Sequence, residues 1–212
     1  MKSSDSVLFV DNHILVANKP AGFLTQPDGS STPDLEAEMK EWVKSEYQKP
    51  GAVFLHAVHR LDKPVSGLVL FARTSKALSR LNEQVREGRI RRIYFAEVEG
   101  IVAANEGRLE HYLRHGSHSA ILSTKNDLEA KLAILSYSVE GRSEKTSFLR
   151  IELHTGRYHQ IRAQCAAIGH PIVGDHRYGA QGAQSIHLHC MSLLLIHPVT
   201  KEELSFLAPP PF

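Results

Sequence analysis

The sequence predicts one mixed α/β domain in which strands outnumber helices. Three observations lead to this prediction. The 212 residues are 42% hydrophobic, which is enough to build a single substantial core. Short apolar runs bounded by Gly, Pro, Asn or Asp occur more often than stretches with helical periodicity. No internal repeat, low-complexity segment or linker interrupts the chain. We therefore expect residues 1–212 to form a single domain.

The first elements are a hairpin and a helix. Two apolar runs, Val7–Val10 and Ile14–Ala17, flank the turn pair at 11–12 and predict two strands. A loop rich in Gly, Pro and Ser follows at 26–31. The sequence Thr-Pro-Asp then predicts a helix start with Pro33 as the first helical residue. The apolar side of this helix consists of Leu35, Met39, Trp42 and Val43, which follow helical spacing.

The central elements are two strands separated by a helix. Residues 67–73 are apolar and predict a strand. Thr74 or Ser75 then caps a helix that Gly88 ends. Residues 92–99 predict the next strand. Alternation along this strand places three residues on one face: Tyr94, Ala96 and Val98.

The second half of the chain is again rich in strands. Residues 100–125 contain hairpin-like fragments whose boundaries the sequence does not define. The remaining predicted elements are, in order, a strand at 148–154, a turn at 155–156, a helix at 158–168, and strands at 186–196 and 204–207.

The charge of the chain is nearly balanced, at +2 with neutral histidines, so its average does not indicate a nucleic-acid partner. A local cluster does, because four arginines lie around Gly88 and such a basic edge suits phosphate contacts. The alternative is a solvated surface without a partner. The cluster consists of Arg86, Arg89, Arg91 and Arg92.

The cysteines and the apolar runs indicate the compartment. Cys165 and Cys190 are too few for a disulfide framework, and each lies in an apolar run typical of a core position. Residues 1–30 lack the pattern of a signal peptide. No apolar run reaches the roughly 20 residues of a membrane span. We expect a cytoplasmic protein that has no membrane partner.

The segment His59–Leu70 carries the strongest chemical signal. Asp62 follows an arginine, a Pro and a Gly then break the chain, and an apolar strand comes next. This order places one carboxylate on an ordered loop at the mouth of a sheet, where functional groups concentrate. An isolated Asp beside an Arg is more often a surface ion pair or a turn residue. A second segment is needed to decide between the two interpretations.

That second segment is Thr155–Arg162, in which a strand leads through a tight turn into a helix. Arg157 lies before the helix and Arg162 about one turn inside it. Helix N-termini bind anions because their N–H groups are free and the positive dipole end points outward. The alternative is a basic helix start that faces water. The spacing alone does not establish that Asp62 and Arg162 meet.

Taken together, these segments resemble the RluA family of pseudouridine synthases. The family reads HRLDxxTSGLLLxA, KxYxAxVxG, LxTGRxHQIRxHxxxxGHPIxGDxxYG, LHAxxLxxxHP and a terminal FxAPxP. The corresponding segments follow in the same order and cover essentially the whole chain. They are His59–Ala72, Arg92–Gly100, Leu153–Gly179, Leu188–Cys190 with His197–Pro198, and Phe206–Pro209, preceded by the family's opening motif at Lys19–Gly22.

The resemblance implies the fold and the domain content. It predicts the pseudouridine synthase catalytic fold, a central mixed and mostly antiparallel sheet flanked by helices and loops. The chain starts almost directly at the first strand of that domain, so we expect a short form without the S4-like RNA-binding domain of many relatives. The catalytic domain itself would then select the RNA, which favours a compact stem-loop with an exposed uridine in tRNA or ribosomal RNA.

The resemblance also implies roles for individual residues. Asp62 aligns with the catalytic aspartate, Tyr94 with the tyrosine that packs against the target base, and Arg162 with the arginine that pairs with the aspartate. Ile161 lies where the family has an apolar residue of the pocket, and Arg60 would contact RNA beside the flipped nucleotide. The further positions that we assign to substrate binding are His59, Arg157 and Gln160.

The implied chemistry needs one carboxylate and a closed pocket. Pseudouridine forms when the N1–C1′ bond breaks and C5 bonds to C1′ instead. An arginine beside the carboxylate keeps it ionised in a partly dry site. Asp62 could attack C1′ or take a proton from C2′, and the sequence leaves both routes open. The target uridine must leave the base stack, and an aromatic floor such as Tyr94 suits a flipped base.

Three positions depart from the family pattern. Arg92 replaces the lysine two residues before Tyr94, which keeps the charge but changes its shape. Val65 replaces a threonine after the aspartate, and Gln164 stands where histidine is common. None of these positions belongs to the set implied to be essential, so we expect activity to persist while contacts with the substrate differ.

Rival interpretations come from other classes of protein. The 13 histidines invite a metal site, with one group at His187, His189 and Cys190 and a pair at His111 and His115. Zinc needs three or four converging ligands with tighter paired spacing, so we expect neither metal nor cofactor. A glycoside hydrolase would need a second carboxylate. A non-catalytic RNA-binding protein on the same fold is the remaining alternative. We expect a monomer that acts on RNA and not on DNA.

Overall fold

The computed structural model of the protein describes residues 6–212. The elements in chain order are β1 (Val7–Val10), β2 (Ile14–Lys19), α1 (Leu35–Glu46), β3 (His56–Ala57), β4 (Ser66–Ala72), α2 (Ser75–Arg86), β5 (Arg91–Glu99), β6 (Glu106–His115), β7 (Ala120–Ser123), β8 (Lys131–Arg142), β9 (Thr146–Leu153), α3 (Gln160–Ala167), β10 (Leu188–Ile196) and β11 (Glu203–Leu207).

The chain divides into two compact units. The first comprises the chain as far as Ile90 together with Met191–Pro209, and the second comprises Arg91–Cys190 with Pro210–Phe212. Each unit is rich in strands. Antiparallel pairs in the first unit are β1–β2, β2–β4, β3–β4 and β10–β11, and those in the second are β5–β9, β6–β7, β6–β8 and β8–β9. The predicted fold class is therefore confirmed. That both units fold as one domain stays a prediction.

The first unit contains the predicted hairpin. The carboxylate of Asp11 accepts hydrogen bonds from the backbone N–H groups of His13 and Ile14, both at 2.7 Å, and so fixes the turn between β1 and β2. β2 pairs with β4, and β3 pairs with the far end of β4. Every residue of β4 is buried, which explains why its sequence is a continuous apolar run.

The helices of the first unit begin at side-chain caps. Asp34 caps α1, because its carboxylate accepts the N–H of Ala37 at 2.8 Å. Pro33 therefore precedes the cap, and its predicted place as the first helical residue is wrong. Thr74 caps α2 in the same way. The predicted apolar side of α1 is buried at Leu35, Met39 and Val43 and half-buried at Trp42.

The second unit is a sheet in the order β5-β9-β8-β6-β7. The hairpin of β6 and β7 accounts for the fragments predicted at 100–125. β8 is twelve residues long and pairs with both β6 and β9, and the sequence pattern did not predict it. α3 begins two residues later than predicted, at Gln160, after His159 adopts a left-handed backbone with φ of 50°.

None of the α-helices between residues 6 and 212 has the length and apolar character needed to cross a membrane. Cys165 and Cys190 are both buried, as expected for core positions. Burial raises the pKa of the Cys165 thiol to about 12, and the neighbouring charge of Asp175 acts in the same direction.

Candidate active site

The loop that carries Asp62 lies in the first unit, directly before β4. The Asp62 carbonyl accepts the N–H of Val65 at 3.0 Å, which closes a turn, and the residue is half-buried. Leu61 is held from both sides by Thr25. The Thr25 hydroxyl donates to the Leu61 carbonyl at 2.9 Å and accepts the Leu61 N–H at 3.0 Å. The backbone next to the carboxylate is therefore fixed by a buried side chain 36 residues away.

Lys19, at the end of β2, fixes the other side of this loop. Its side chain is fully buried, and its ammonium donates to the carbonyls of Pro20 at 3.0 Å, Phe23 at 2.7 Å and Lys63 at 3.3 Å. Three acceptors match the three N–H donors of an ammonium. Burial lowers the pKa of Lys19 to about 7, while the negative charge of Asp62 acts in the opposite direction. The opening motif therefore anchors the loop of the proposed catalytic residue.

His59 and Arg60 differ in their surroundings. His59 is buried, and its Nε2 atom accepts the backbone N–H of Leu70 at 3.3 Å. This contact joins the start of the loop to β4. The side chain of Arg60 is exposed. The structure thus gives His59 a supporting contact within the protein, whereas Arg60 is accessible to a ligand. Substrate contact by either residue stays a prediction.

Tyr94, Ile161 and Arg162 all belong to the second unit. Tyr94 lies in the middle of β5, opposite Ile151 of β9, and is 5% exposed. Ile161 and Arg162 occupy the first turn of α3 and are buried as well. Asp62 belongs to the first unit. Its pairing with Arg162 therefore stays a prediction.

Arg162 forms a buried fork with Asp175, a residue that sequence analysis did not assign. Nε of Arg162 lies 2.7 Å from Oδ2 of Asp175 and Nη2 lies 2.8 Å from Oδ1, with both side chains almost fully buried. The guanidinium also lies over the ring of Tyr178, 5.2 Å from its centroid. Two N–H donors form this fork, and the other three of a guanidinium lie outside it.

Gly174 makes the position of Asp175 possible. Its φ is 77°, a conformation that glycine adopts without strain. A Cβ atom at this position would lie 1.9 Å from the carbonyl oxygen of Ser185. The Gly-Asp pair in the block GHPIxGDxxYG was the available sequence signal, but spacing gave no reason to connect it with Arg162.

Gln160 organises the turn before α3. Its Oε1 atom accepts from the Thr155 hydroxyl at 2.7 Å and from the Arg157 N–H at 3.0 Å. Its Nε2 atom donates to the Ile134 carbonyl and to Oε1 of Gln164, both at 3.0 Å. The side chain is buried, and both ends of its amide are engaged within the protein. These contacts favour an organising role, and substrate contact by Gln160 stays a prediction.

Arg157 lines a surface pocket of about 260 Å³ in the second unit. Its Nε atom donates to the Leu132 carbonyl at 2.9 Å. Tyr158 is 38% exposed, and its ring stacks with the rings of His115 and His159, whose centroids lie 4.1 and 3.9 Å away. Basic side chains beside an exposed ring provide the two features that RNA binding uses. The basic and aromatic residues that line the pocket are Arg114, His115, Lys131, Arg157 and Tyr158.

The histidines considered for a metal site have other contacts. Nδ1 of His187 lies 2.7 Å from Oε2 of Glu97, and Nδ1 of His111 lies 3.1 Å from Nε2 of Gln164. Among residues 6–212, no three His, Cys, Asp or Glu side chains form a group that could hold a metal ion.

Comparisons with known proteins identify the family. Residues 13–167 match the family described as RNA pseudouridylate synthase. The chain is 33% identical to the dual-specificity RNA pseudouridine synthase RluA of Vibrio cholerae, over 91% of this chain and 77% of that protein. It is 34% identical to the ribosomal large subunit pseudouridine synthase C of Escherichia coli K12, over 97% of this chain but only 66% of that protein.

The fold agrees with these matches. The solved structure of human RNA pseudouridylate synthase domain containing 4 superposes with a TM-score of 0.81 at 20% identity, and the match covers 98% of this chain and 89% of that chain. The chain therefore belongs to the RNA pseudouridylate synthase family. Within that family it is a member of the RluA group, as its motifs predicted, and its enzyme class is that of an RNA-modifying isomerase.

The pKa of Lys19 generates a testable prediction about stability. The folded pKa of about 7 lies below the ordinary value of 10.5, so the unfolded chain binds more protons between these limits. The free energy of unfolding should therefore rise with pH across this window, by at most about 1.4 kcal/mol per pH unit from this group. In Lys19→Met that contribution should be absent.

Urea unfolding at pH 6.5–10 would measure this pH dependence of the free energy of unfolding. Lys63→Met is the control, because Lys63 is an exposed lysine of the Asp62 loop. Parallel curves for the wild type and Lys19→Met would contradict the burial of a titrating ammonium.

The fork generates a second prediction. Asp175→Asn keeps the size of the side chain but removes the carboxylate charge of the buried fork with Arg162. Breaking one side of a buried pair typically costs about 3–5 kcal/mol of stability. The single-turnover rate at saturating enzyme should also fall, because Arg162 loses its orientation. Glu152→Gln is the matched control, since Glu152 pairs with Arg91 at the surface and exposed pairs contribute about 0–1 kcal/mol. Equal effects of the two substitutions would sink this assignment.

Proposed function

We propose that this protein converts one unpaired uridine of a folded RNA to pseudouridine, with Asp62 as the catalytic carboxylate. The observation that carries the proposal is the construction of the Asp62 loop. Two buried side chains, Lys19 and Thr25, hold the backbone on either side of a single half-buried acid. A surface turn needs no such support, whereas a catalytic group must be held in position with its partners.

The reaction needs little beyond this carboxylate. The N1–C1′ bond breaks, the uracil turns, and C5 bonds to C1′; N1 gains a proton and C5 loses one, so that atoms and charge balance. Asp62 acts either by bonding to C1′ or by taking a proton from C2′. Tyr94 and Ile161, both buried in the second unit, support the base while it turns. An aromatic face and an apolar side chain allow rotation because neither fixes a hydrogen-bonded orientation.

Arg162 would keep Asp62 ionised and aimed. Asp175 holds the guanidinium rigidly through two donors, which leaves the other donors of Arg162 outside the fork. A pre-oriented guanidinium loses little side-chain entropy when it engages a second carboxylate. This arrangement supports the role of a positioning residue that stabilises the charged form of Asp62.

The substrate is proposed to be a stem-loop of tRNA or ribosomal RNA whose uridine is flipped out of the stack. The printed names of the relatives support this class, since one is a dual-specificity RNA enzyme and another acts on the large ribosomal subunit. The basic and aromatic pocket at Arg157 and Tyr158 supports RNA as the partner. A monomer in the cytoplasm that does not act on DNA remains our expectation.

The central test is Asp62→Asn. The amide keeps the shape of the side chain and removes its charge, so turnover should be abolished while folding and RNA binding persist. Because C5 loses its hydrogen, tritium release from RNA labelled at C5 of uridine reports the reaction directly. Glu144→Gln, at an exposed acid of the second unit, should leave the rate unchanged.

Retention of more than a small fraction of the wild-type rate in Asp62→Asn would remove this residue from the mechanism. RNA binding without tritium release from any cellular RNA would instead favour the non-catalytic RNA-binding alternative.

Chelation tests the expectation that no metal takes part. None of the proposed steps uses a Lewis acid, so tritium release should survive treatment with EDTA and dialysis. A short pre-folded hairpin should serve as the substrate, because magnesium needed only to fold RNA would otherwise confuse the result. Activity that is lost to EDTA and returns with zinc or magnesium on that hairpin would contradict the mechanism.

A further inference from the structure

The arginine cluster predicted from the sequence separates into different environments. Arg89 forms an exposed ion pair with Glu87. Arg91 pairs with Glu152 through two hydrogen bonds of 2.7 and 3.1 Å at the surface. Arg92 differs from both, because only 9% of it is exposed. Arg92, the one arginine of this cluster that departs from the family pattern, is thus also its buried member.

The guanidinium of Arg92 lacks an acceptor within the protein. Across the described range, 6–212, no carboxylate or hydrogen-bond acceptor pairs with it, and its Nε atom is sealed from solvent without a partner. The two Nη atoms are not sealed in this way. Burying a charged group without compensation is costly, so native proteins pair such groups or use them to bind a ligand. An accessible guanidinium edge on a buried stem is suited to an anion.

The surroundings of Arg92 show where that anion would lie. Nη1 of Arg92 is 3.0 Å from the position that a Cβ atom of Gly156 would occupy. A Cβ atom there would crowd the guanidinium, which therefore lies close against the turn that leads to Arg157. Arg92 and Tyr94 are two residues apart on β5, and therefore on the same side of the strand at a separation of about 7 Å. This separation is on the scale of one nucleotide, from its base to an adjoining phosphate.

We propose that Arg92 binds a phosphodiester of the substrate RNA, next to the nucleotide whose base packs on Tyr94. The location relative to the base rests on the proposed function, whereas the anion site rests on the burial and missing acceptor of Arg92 alone. A guanidinium contacts two phosphate oxygens at once, which a lysine ammonium does not do with fixed geometry. Arg92 thereby fixes the backbone of the flipped nucleotide, and with it the sugar, while the base remains able to turn.

The proposal predicts opposite effects on stability and on binding. Arg92→Met removes an uncompensated buried charge, so the free protein should be at least as resistant to urea as the wild type. Binding to RNA should weaken about ten- to a hundredfold, as expected for a hydrogen-bonded charge contact. The slope of log affinity against log salt should decrease by about one. Arg92→Lys should keep the salt slope and recover only part of the affinity.

The probe is a fluorescent RNA hairpin with a loop of seven uridines, and all variants are made in the Asp62→Asn protein so that no turnover occurs. Arg91→Met is the matched control, because it removes a neighbouring but exposed and paired charge. Inorganic sulfate provides a second readout, since it should raise the melting temperature of the parent protein and not that of Arg92→Met. In a third readout, each loop phosphate is replaced in turn by a neutral methylphosphonate. At the phosphate that Arg92 contacts, the replacement should weaken binding by the parent protein but should have no effect on binding by Arg92→Met.

Three results would contradict the proposed phosphate site. The first is an unchanged RNA affinity in Arg92→Met, and the second is a loss of stability that accounts for its weaker binding. The third is that the effects of Arg92→Met and of the methylphosphonate on binding add at every loop position. The proposed function is judged separately, by tritium release. If that release fails while the effects of Arg92 persist, the phosphate site stands and the isomerase proposal falls.

Discussion

A lysine ammonium buried against three backbone carbonyls supports the part of the molecule on which the proposed chemistry depends. The Lys19 ammonium donates to the carbonyls of Phe23 and Lys63, which belong to two different loops. Thr25 joins the same two loops through its hydrogen bond to the Leu61 carbonyl. Buried carbonyl groups need such partners, and a buried ammonium needs such acceptors, so each stabilises the other. The shape of the Asp62 loop is therefore set by polar contacts and not by apolar packing alone.

The second unit uses the same principle with charged groups. Asp175 neutralises Arg162, Tyr178 covers it, and Gln160 satisfies the turn that leads into α3. Each of these side chains supports a neighbour that we assign to the reaction or to the base. Arg92 is the exception, a cation without such a partner among the described residues. The contrast explains why we assign it to a ligand and not to the scaffold.

Local patterns predicted the elements of the fold well, and long-range contacts lay outside their scope. The hairpin at β1 and β2, the cap of α2 and the apolar strand β4 follow from residues close in sequence. β8 escaped prediction because it pairs on both sides, and its burial alternates only in part. Motif order gave the family and the candidate residues. The partnership of Arg162 with Asp175, thirteen residues apart, has no periodicity that could reveal it.

The contacts that hold the Asp62 loop also impose an order on folding. They connect residues 36 and 44 positions apart, so each closes a long segment of chain before it contributes any stability. A nascent chain must therefore extend at least through Lys63 before both contacts can form, so the loop of the proposed catalytic residue depends on partners that are synthesised 36 and 44 residues before it.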